Sequence, residues 1–121
     1  MIRLMQKADA QDVFQIEQRV QSHPWSLKQF QEAAESYVST VVEQNGVIAG
    51  FCILQPVLDE ANLLLMAIDP RYQGQGLGYQ LLEESIAMLA NNPVQIFLEV
   101  RESNTPAIRL YEKSEFHQID V

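Results

Sequence analysis

The spacing of apolar residues at the start of the chain changes from that of a strand to that of a helix. Ile2–Leu4 has the composition of a short strand. Val13, Ile16 and Val20 follow at intervals of three and four, so they lie on one face of a helix. Asp9 precedes this helix and is a residue type that favours the N-cap position. The pattern predicts a strand followed by an amphipathic helix.

A second helix is predicted directly after the segment His23-Pro24-Trp25, which interrupts the first. Ser26 and Gln29 have the spacing of a capping box, in which each side chain accepts a hydrogen bond from the other residue's N–H. Trp25 and Phe30 occupy the two positions of a hydrophobic staple. Trp25 therefore has a structural role whether or not it also borders a substrate.

Three strands in series are predicted next. Tyr37–Glu43 is joined to Val47–Val57 by Asn45-Gly46, the dipeptide best suited to a two-residue hairpin turn. Asp59-Glu60 then leads into Ala61–Ile68. Sequential strands with short connections form an antiparallel meander.

The last part of the chain alternates between helix and strand. A glycine-rich loop precedes a helix whose apolar positions form two adjacent rows. These rows are Leu77, Leu81 and Met88, beside Leu82, Ile86 and Leu89. This helix should end at Asn91-Asn92-Pro93, and a buried strand is predicted at Gln95–Val100. A further helix should begin at Thr105-Pro106, and the start of another strand is predicted at Phe116–Asp120. We expect one α/β domain spanning residues 1–121, with an antiparallel meander and a parallel crossover in one mixed sheet flanked by helices.

Charge and composition narrow the function. The formal net charge of -8 disfavours direct binding of nucleic acid and favours a basic peptide or an amine, although acidic surfaces also serve solubility alone. The apolar runs are too short for a membrane span, and no secretory signal is expected. Cys52 is the single cysteine, which fits a cytoplasmic location. It reads as a core residue. His23 and His117 lie in no ligand-spaced cluster, so no metal is predicted.

The segment from Asp69 to Gly78 is the most informative stretch, because its glycines lie between a strand and the start of a helix. Backbone N–H groups at such a helix start suit an anionic phosphate. A Walker loop would need a Gly-Lys-Ser/Thr ending, which is absent. In a dinucleotide fingerprint counted from Gly74, the sixth position would be glycine, but it is Tyr79. A purely structural glycine turn stays an alternative.

The spacing of Gln73, Gly76 and Gly78 resembles the pyrophosphate-binding signature of the Gcn5-related N-acetyltransferase (GNAT) superfamily. The surrounding Ile68-Asp69-Pro70 and Leu81-Leu82, and the later Asn104, Ala107 and Leu110-Tyr111-Glu112, also match. Within the superfamily the chain resembles the ribosomal-protein alanine acetyltransferases. That similarity is carried by Pro24-Trp25-Ser26, Leu58-Asp59-Glu60-Ala61, Leu98-Glu99-Val100-Arg101 and Ser103-Asn104.

The resemblance implies a GNAT fold and an acetyl-CoA co-substrate, with the following cofactor-binding residues: Met66, Ala67, Ile68, Gln73, Gly74, Gln75, Gly76, Leu77, Gly78, Tyr79 and Asn104. It also implies that Glu99 is the general base and that Tyr111 is the acid that protonates the departing thiolate. Burial of Glu99 in its apolar strand would raise its pKa toward neutrality, although a solvent-facing carboxylate at a strand end is an alternative. Asn104 and Tyr111 also have ordinary structural readings, as a turn residue and as a packed helix tyrosine.

The implied reaction is direct attack of an amine on the thioester. The resemblance suggests the N-terminal alanine of a ribosomal protein, presented as a basic peptide, as the acceptor. Alternatives are a lysine or small polyamine as the acceptor, and a non-catalytic CoA-binding module.

Two features depart from the family pattern. Glu115 stands where glycine is usual, and a left-handed helix cap there would be strained. The sequence ends at Val121, so the last strand pair of the fold is expected to be missing. We therefore expect weak acetylation, or a homodimer formed through the unpaired sheet edge.

Overall fold

A computed structural model describes residues 1–90, 95–98 and 117–118. Six strands form one mixed sheet in the order β1-β2-β3-β4-β5-β6. The strands are β1 (Ile2–Leu4), β2 (Val38–Gln44), β3 (Val47–Val57), β4 (Glu60–Ile68), β5 (Gln95–Leu98) and β6 (His117–Gln118). The helices are α1 (Ala10–Val20), α2 (Leu27–Ser36) and α3 (Leu77–Ala87), with 3-10 turns at Lys7–Asp9 and Pro70–Tyr72.

The predicted meander and crossover are both confirmed. Strands β1 to β4 pair antiparallel, and β5 pairs parallel with β4. Strand β6 pairs parallel with β5. The Asn45-Gly46 turn has the two positive φ values, 53° and 78°, that a tight hairpin of this kind requires. The helix predicted from Thr105-Pro106 lies outside the described residues.

Each face of the sheet has its own apolar core. On one face, α3 contributes Leu81 and Leu82 to a cluster with Cys52 of β3. On the other, Val13 of α1 and Phe30 of α2 pack in a second cluster. The sheet therefore separates α1 and α2 from α3.

The predicted cap and staple of α2 are confirmed. Ser26 Oγ accepts a hydrogen bond from the Gln29 N–H at 3.2 Å, and Gln29 Oε1 accepts one from the Ser26 N–H at 2.8 Å. The ring centroids of Trp25 and Phe30 lie 5.5 Å apart. These contacts set the direction in which the chain enters α2.

Asp9 stands at the N-cap of α1 as expected, but its side chain does not cap that helix. Its carboxylate instead accepts hydrogen bonds from the Arg3 guanidinium at 2.7 and 3.0 Å and from the Gln6 N–H at 2.8 Å. The 3-10 turn before α1 explains the difference, because Asp9 already has helical backbone angles.

The prediction that α3 continues to Leu89 is wrong. The helix ends at Ala87, and Met88 is 39% exposed. The N–H groups of Met88 and Leu89 donate to the carbonyls of Ser85 and Ile86 at 3.1 and 3.0 Å, three residues back along the chain. This tighter final turn brings Leu89 into the core and leaves Met88 at the surface.

Candidate functional site

Strand β4 contains a bulge just before the residues predicted to bind the cofactor arm. Ile53 pairs with Leu65 and Leu54 pairs with Leu63, so Leu64 is an extra residue. On the other side of β4, the registered pairing with β5 ends at Leu63. Within the described ranges, β4 beyond the bulge therefore has strand partners on its β3 side alone. Its other edge presents peptide groups that an extended ligand rich in amides could bind.

The predicted residues Met66, Ala67 and Ile68 form the end of this strand. Met66 packs with the α3-side core and Ala67 with the core of α1 and α2. Gly50 of β3 pairs with Ile68, and a Cβ atom at Gly50 would lie 2.8 Å from the Ala67 carbonyl oxygen. Sequence reasoning missed this role of Gly50, although a glycine within an apolar strand is a signal of close backbone approach.

The glycine loop needs its glycines for backbone conformation. Gly74 and Gly76 have φ values of 80° and 79°, and a Cβ atom at either position would meet nothing within 4 Å. Gly76 is the N-cap of α3 and, unlike Ser26 at the start of α2, has no side chain with which to cap the helix. The first N–H groups of a helix have no intrahelical acceptor and carry partial positive charge. The loop can therefore bind an anionic phosphate group through its backbone.

Asp69 fixes the start of this loop. Its side chain is 1% exposed and accepts hydrogen bonds from the Arg71 N–H at 3.0 Å, from the Arg71 guanidinium at 3.0 and 3.2 Å and from the Arg19 guanidinium. Its own N–H donates to the Ala49 carbonyl at 2.7 Å. The Arg71 side-chain hydrogen bond is the main cause that holds the pKa of Asp69 below its usual value, against the opposing effect of burial. Sequence reasoning missed this set of contacts around Asp69, because Arg19 is far from Asp69 in the sequence.

The side chain of Gln73 also holds the loop. Its amide nitrogen donates to the Ile68 carbonyl at 3.0 Å, which links the loop back to the end of β4. Gln75 beside it is exposed, whereas Leu77 is buried in the α3-side core. Leu77 therefore fixes the end of the loop in the core, while Gln75 stays accessible to solvent.

The sequence model of the acetyltransferase (GNAT) family matches residues 4–116. The chain belongs to the acetyltransferase (GNAT) family. The predicted GNAT fold is therefore confirmed, and this acetyltransferase uses acetyl-CoA as its co-substrate, as the resemblance implied.

Related acetyltransferases support the same assignment. The chain is 43% identical over 99% of its length to the [ribosomal protein bS18]-alanine N-acetyltransferase of Escherichia coli (strain K12), and covers 82% of that protein. It is 40% identical to the enzyme of that name from Haemophilus influenzae, again over 99% of its length and 83% of the relative. The crystal structure of the ribosomal-protein-S18-alanine N-acetyltransferase from Escherichia coli matches with a TM-score of 0.86 at 43% identity, over 99% of this chain and 79% of the other.

Three predicted site residues of this acetyltransferase lie outside the described residues: the general base Glu99, the general acid Tyr111 and Asn104, which is predicted to bind the cofactor arm. Glu115 also lies outside them. Glu99 directly follows Leu98 in sequence, and Leu98 pairs with Leu63 next to the β4 bulge. The roles of these three residues stay predictions.

Cys52 is a core residue, as predicted. It is fully buried, and this burial raises the pKa of its thiol to about 12. A thiol that stays protonated at neutral pH is a poor nucleophile. Cys52 is therefore unsuited to carrying an acetyl group.

Nowhere among the described residues do three or more metal-ligating side chains lie together. In the same residues, no helix combines the length and apolar character needed to cross a bilayer.

Proposed function

We propose that residues 1–121 act as one acetyltransferase domain that moves acetyl from acetyl-CoA to the N-terminal alanine of a ribosomal protein. The observation that carries this proposal is the 43% identity, over 99% of the chain, to the Escherichia coli enzyme named for that reaction. Protein bS18, the substrate in that name, is the first acceptor to test. Ribosomal proteins are found in the cytoplasm, the compartment expected for this chain.

The described residues fit the co-substrate. The start of α3, whose N-cap residue is a glycine, and the left-handed backbone of Gly74 and Gly76 form a backbone site suited to a pyrophosphate. The edge of β4 at Met66–Ile68, which pairs with no second strand among the described residues, suits the amide-containing arm of coenzyme A. Acetyl-CoA supplies the activated acetyl group as a thioester. In this proposal, Gly74–Tyr79 bind its pyrophosphate and Met66–Ile68 bind its arm.

Three groups of the chain act on the reacting atoms. The N–H near Ala67 polarises the thioester carbonyl, and Glu99, directly or through water, accepts the proton that the amine loses. Tyr111 donates a proton to the thiolate that leaves. Because amine and thioester are held together in one cleft, positioning supplies much of the rate and no covalent enzyme intermediate is needed.

Proton energetics favour an α-amine over a lysine as the acceptor. Deprotonation at neutral pH costs roughly 1 kcal/mol for a terminal amine and about 4.5 kcal/mol for a lysine, from their unperturbed pKa values. A single glutamate base meets the smaller requirement more easily. The formal charge of -8 also favours a basic peptide.

Mass spectrometry of the product tests the proposal. The protein is incubated with acetyl-CoA and a basic peptide that begins with alanine, and the acetylated atom is located by fragmentation. Acetyl on the N-terminal nitrogen is the expected result. The same peptide with a blocked N-terminus but free lysines is the matched control, and spermidine is a third acceptor.

Each other outcome contradicts the proposal in a different way. Acetyl found only on lysine or on the polyamine assigns another acceptor. Binding of CoA in calorimetry without turnover of any amine assigns a non-catalytic module. Unchanged activity in Glu99→Gln removes that residue as the base, even when the acceptor is as proposed.

A further inference from the structure

The last turn of α1 contains a fully buried carboxylate, that of Glu17. Its Oε2 atom accepts a hydrogen bond from the Trp25 backbone N–H at 3.1 Å. An ionisable group is costly to bury unless it is hydrogen-bonded, so this contact is part of how Glu17 is accommodated. It fixes the connection between α1 and α2, residues 21–26, against the body of the protein.

This connection lies on the face of the sheet opposite α3. The ring centroids of Trp25 and Phe30 lie 5.5 Å apart, and those of Phe30 and Phe51 lie 5.4 Å apart. Phe51 pairs with Ala67 on β4, and both belong to the core of α1 and α2. A series of packed side chains therefore links Trp25 to the part of β4 where the thioester carbonyl is proposed to bind.

Two residues beyond Glu17, Arg19 makes a contact in another direction. Its guanidinium donates to the buried carboxylate of Asp69, the residue at which the glycine loop begins. One turn of α1 thus holds the α1–α2 connection through Glu17 and the glycine loop through Arg19.

We propose that Glu17 and Arg19 are positioning residues for the two substrates of the acetyl transfer. Glu17 holds the α1–α2 connection as a wall of the acceptor side, because the packed side chains link that connection to the part of β4 where the thioester carbonyl is proposed to bind. Arg19 holds Asp69 and thereby the loop for the pyrophosphate of the donor. This inference rests on the proposed function, and it predicts separate effects on the two substrates.

Steady-state kinetics with both substrates varied tests the separation. Glu17→Leu keeps the volume of the side chain but removes the acceptor of the Trp25 N–H. We expect the KM for the alanine-first peptide to rise roughly tenfold, with the KM for acetyl-CoA unchanged. Glu17→Gln keeps an acceptor oxygen and should restore most of the peptide affinity.

Arg19→Met should show the opposite pattern, with a roughly tenfold higher KM for acetyl-CoA and an unchanged KM for the peptide. Arg19→Lys keeps the charge and should restore part of the affinity. Gln18→Ala, an exposed residue in the same turn, is the control and should match the wild type. Equal increases in both KM values, or no change in either, overturn the proposal and leave these residues a structural role alone.

Two measurements keep the test decisive if a variant fails to fold or the wild type does not acetylate the peptide. Hydrogen exchange of the wild-type Trp25 amide should be slow and should slow further when peptide binds. Fast exchange overturns the role proposed for Glu17. Calorimetry with CoA alone should show weaker binding to Arg19→Met than to the wild type. Equal binding overturns the role proposed for Arg19. An inactive wild type that passes both tests contradicts the proposed function and leaves the positioning intact.

Discussion

The carboxylate of Asp69 is nearly inaccessible, yet its contacts with Arg71 and Arg19 favour the ionised form. Its pKa in the folded protein lies below the unfolded value, mainly because of the Arg71 hydrogen bond. A lowered folded pKa stabilises the protein at pH values above the unfolded pKa of about 3.9, and the contribution is lost as the pH falls through the folded pKa.

Asp69→Asn should therefore destabilise the protein at neutral pH and much less in acid. We expect the free energy of unfolding to fall by about 2 kcal/mol near pH 7, because charge-assisted hydrogen bonds are lost. The difference from the wild type should shrink below about pH 4. Urea unfolding at about pH 7 and about pH 3 measures both. The exposed Asp59→Asn is the control, and an Asp69→Asn effect that is the same at both pH values would contradict the assignment.

Cys52 allows a prediction about reactivity. Since burial raises the pKa of its thiol to about 12, iodoacetamide should label the native protein slowly and the urea-unfolded protein rapidly. Intact mass spectrometry measures the labelled fraction. Cys52→Ala should retain kcat, because the proposed reaction has no acetyl-thiol intermediate. A large loss of kcat at unchanged Tm would show that the thiol takes part.

Among the elements, the start of α3 offers a comparison at matched backbone strain. Gly76 and Gly46 have φ values of 79° and 78°, and neither would place a Cβ within 4 Å of another atom. Alanine at either position should cost about 1 kcal/mol or more of stability, because both are left-handed. Only Gly76→Ala should also weaken CoA binding, since its methyl group lies where the pyrophosphate is proposed to approach.

Calorimetry with CoA and thermal unfolding of both variants check this expectation. Gly46, in the β2–β3 turn, reports the effect of strain without the ligand. If both variants bind CoA as the wild type does, the loop has a structural role alone and the pyrophosphate site is elsewhere.

How well each element could be predicted depended on the range of the interactions that form it. The Ser26–Gln29 cap and the Asn45-Gly46 turn depend on neighbouring residues, so they could be recognised in the sequence. The bulge at Leu64 depends on pairing with β3, and the burial of Leu89 depends on a final turn that propensity does not predict. Tertiary contacts override local pattern at these positions.

The same distinction holds for the site. The glycines of the α3 start were recognisable from spacing, because local backbone geometry requires them. The Arg19–Asp69 contact joins residues fifty positions apart, and the Glu17–Trp25 contact needs the fold of the α1–α2 connection. Neither contact has a local sequence signal.

At the scale of the whole molecule, the elements proposed to bind the donor and the acceptor lie on opposite faces of the sheet. Helix α3 and its glycine loop lie on one face, and α1, α2 and their connection lie on the other. The end of β4 contributes to both cores, since Met66 packs in one and Ala67 in the other. In the proposed reaction, donor and acceptor therefore meet at a strand that the helices of both faces hold in place.

The charge of the whole molecule should act in opposite directions on the two substrates. A body with a formal charge of -8 attracts a basic peptide and repels anionic acetyl-CoA outside the local phosphate site. Raising the salt from about 0.03 M to about 0.3 M shortens the Debye length from roughly 18 Å to about 6 Å. The KM for a basic alanine-first peptide should then rise several-fold, while the KM for acetyl-CoA stays constant or falls. A neutral alanine-first peptide of equal length is the control, and an identical salt response of the two peptides would show that acceptor recognition does not depend on the acidic surface.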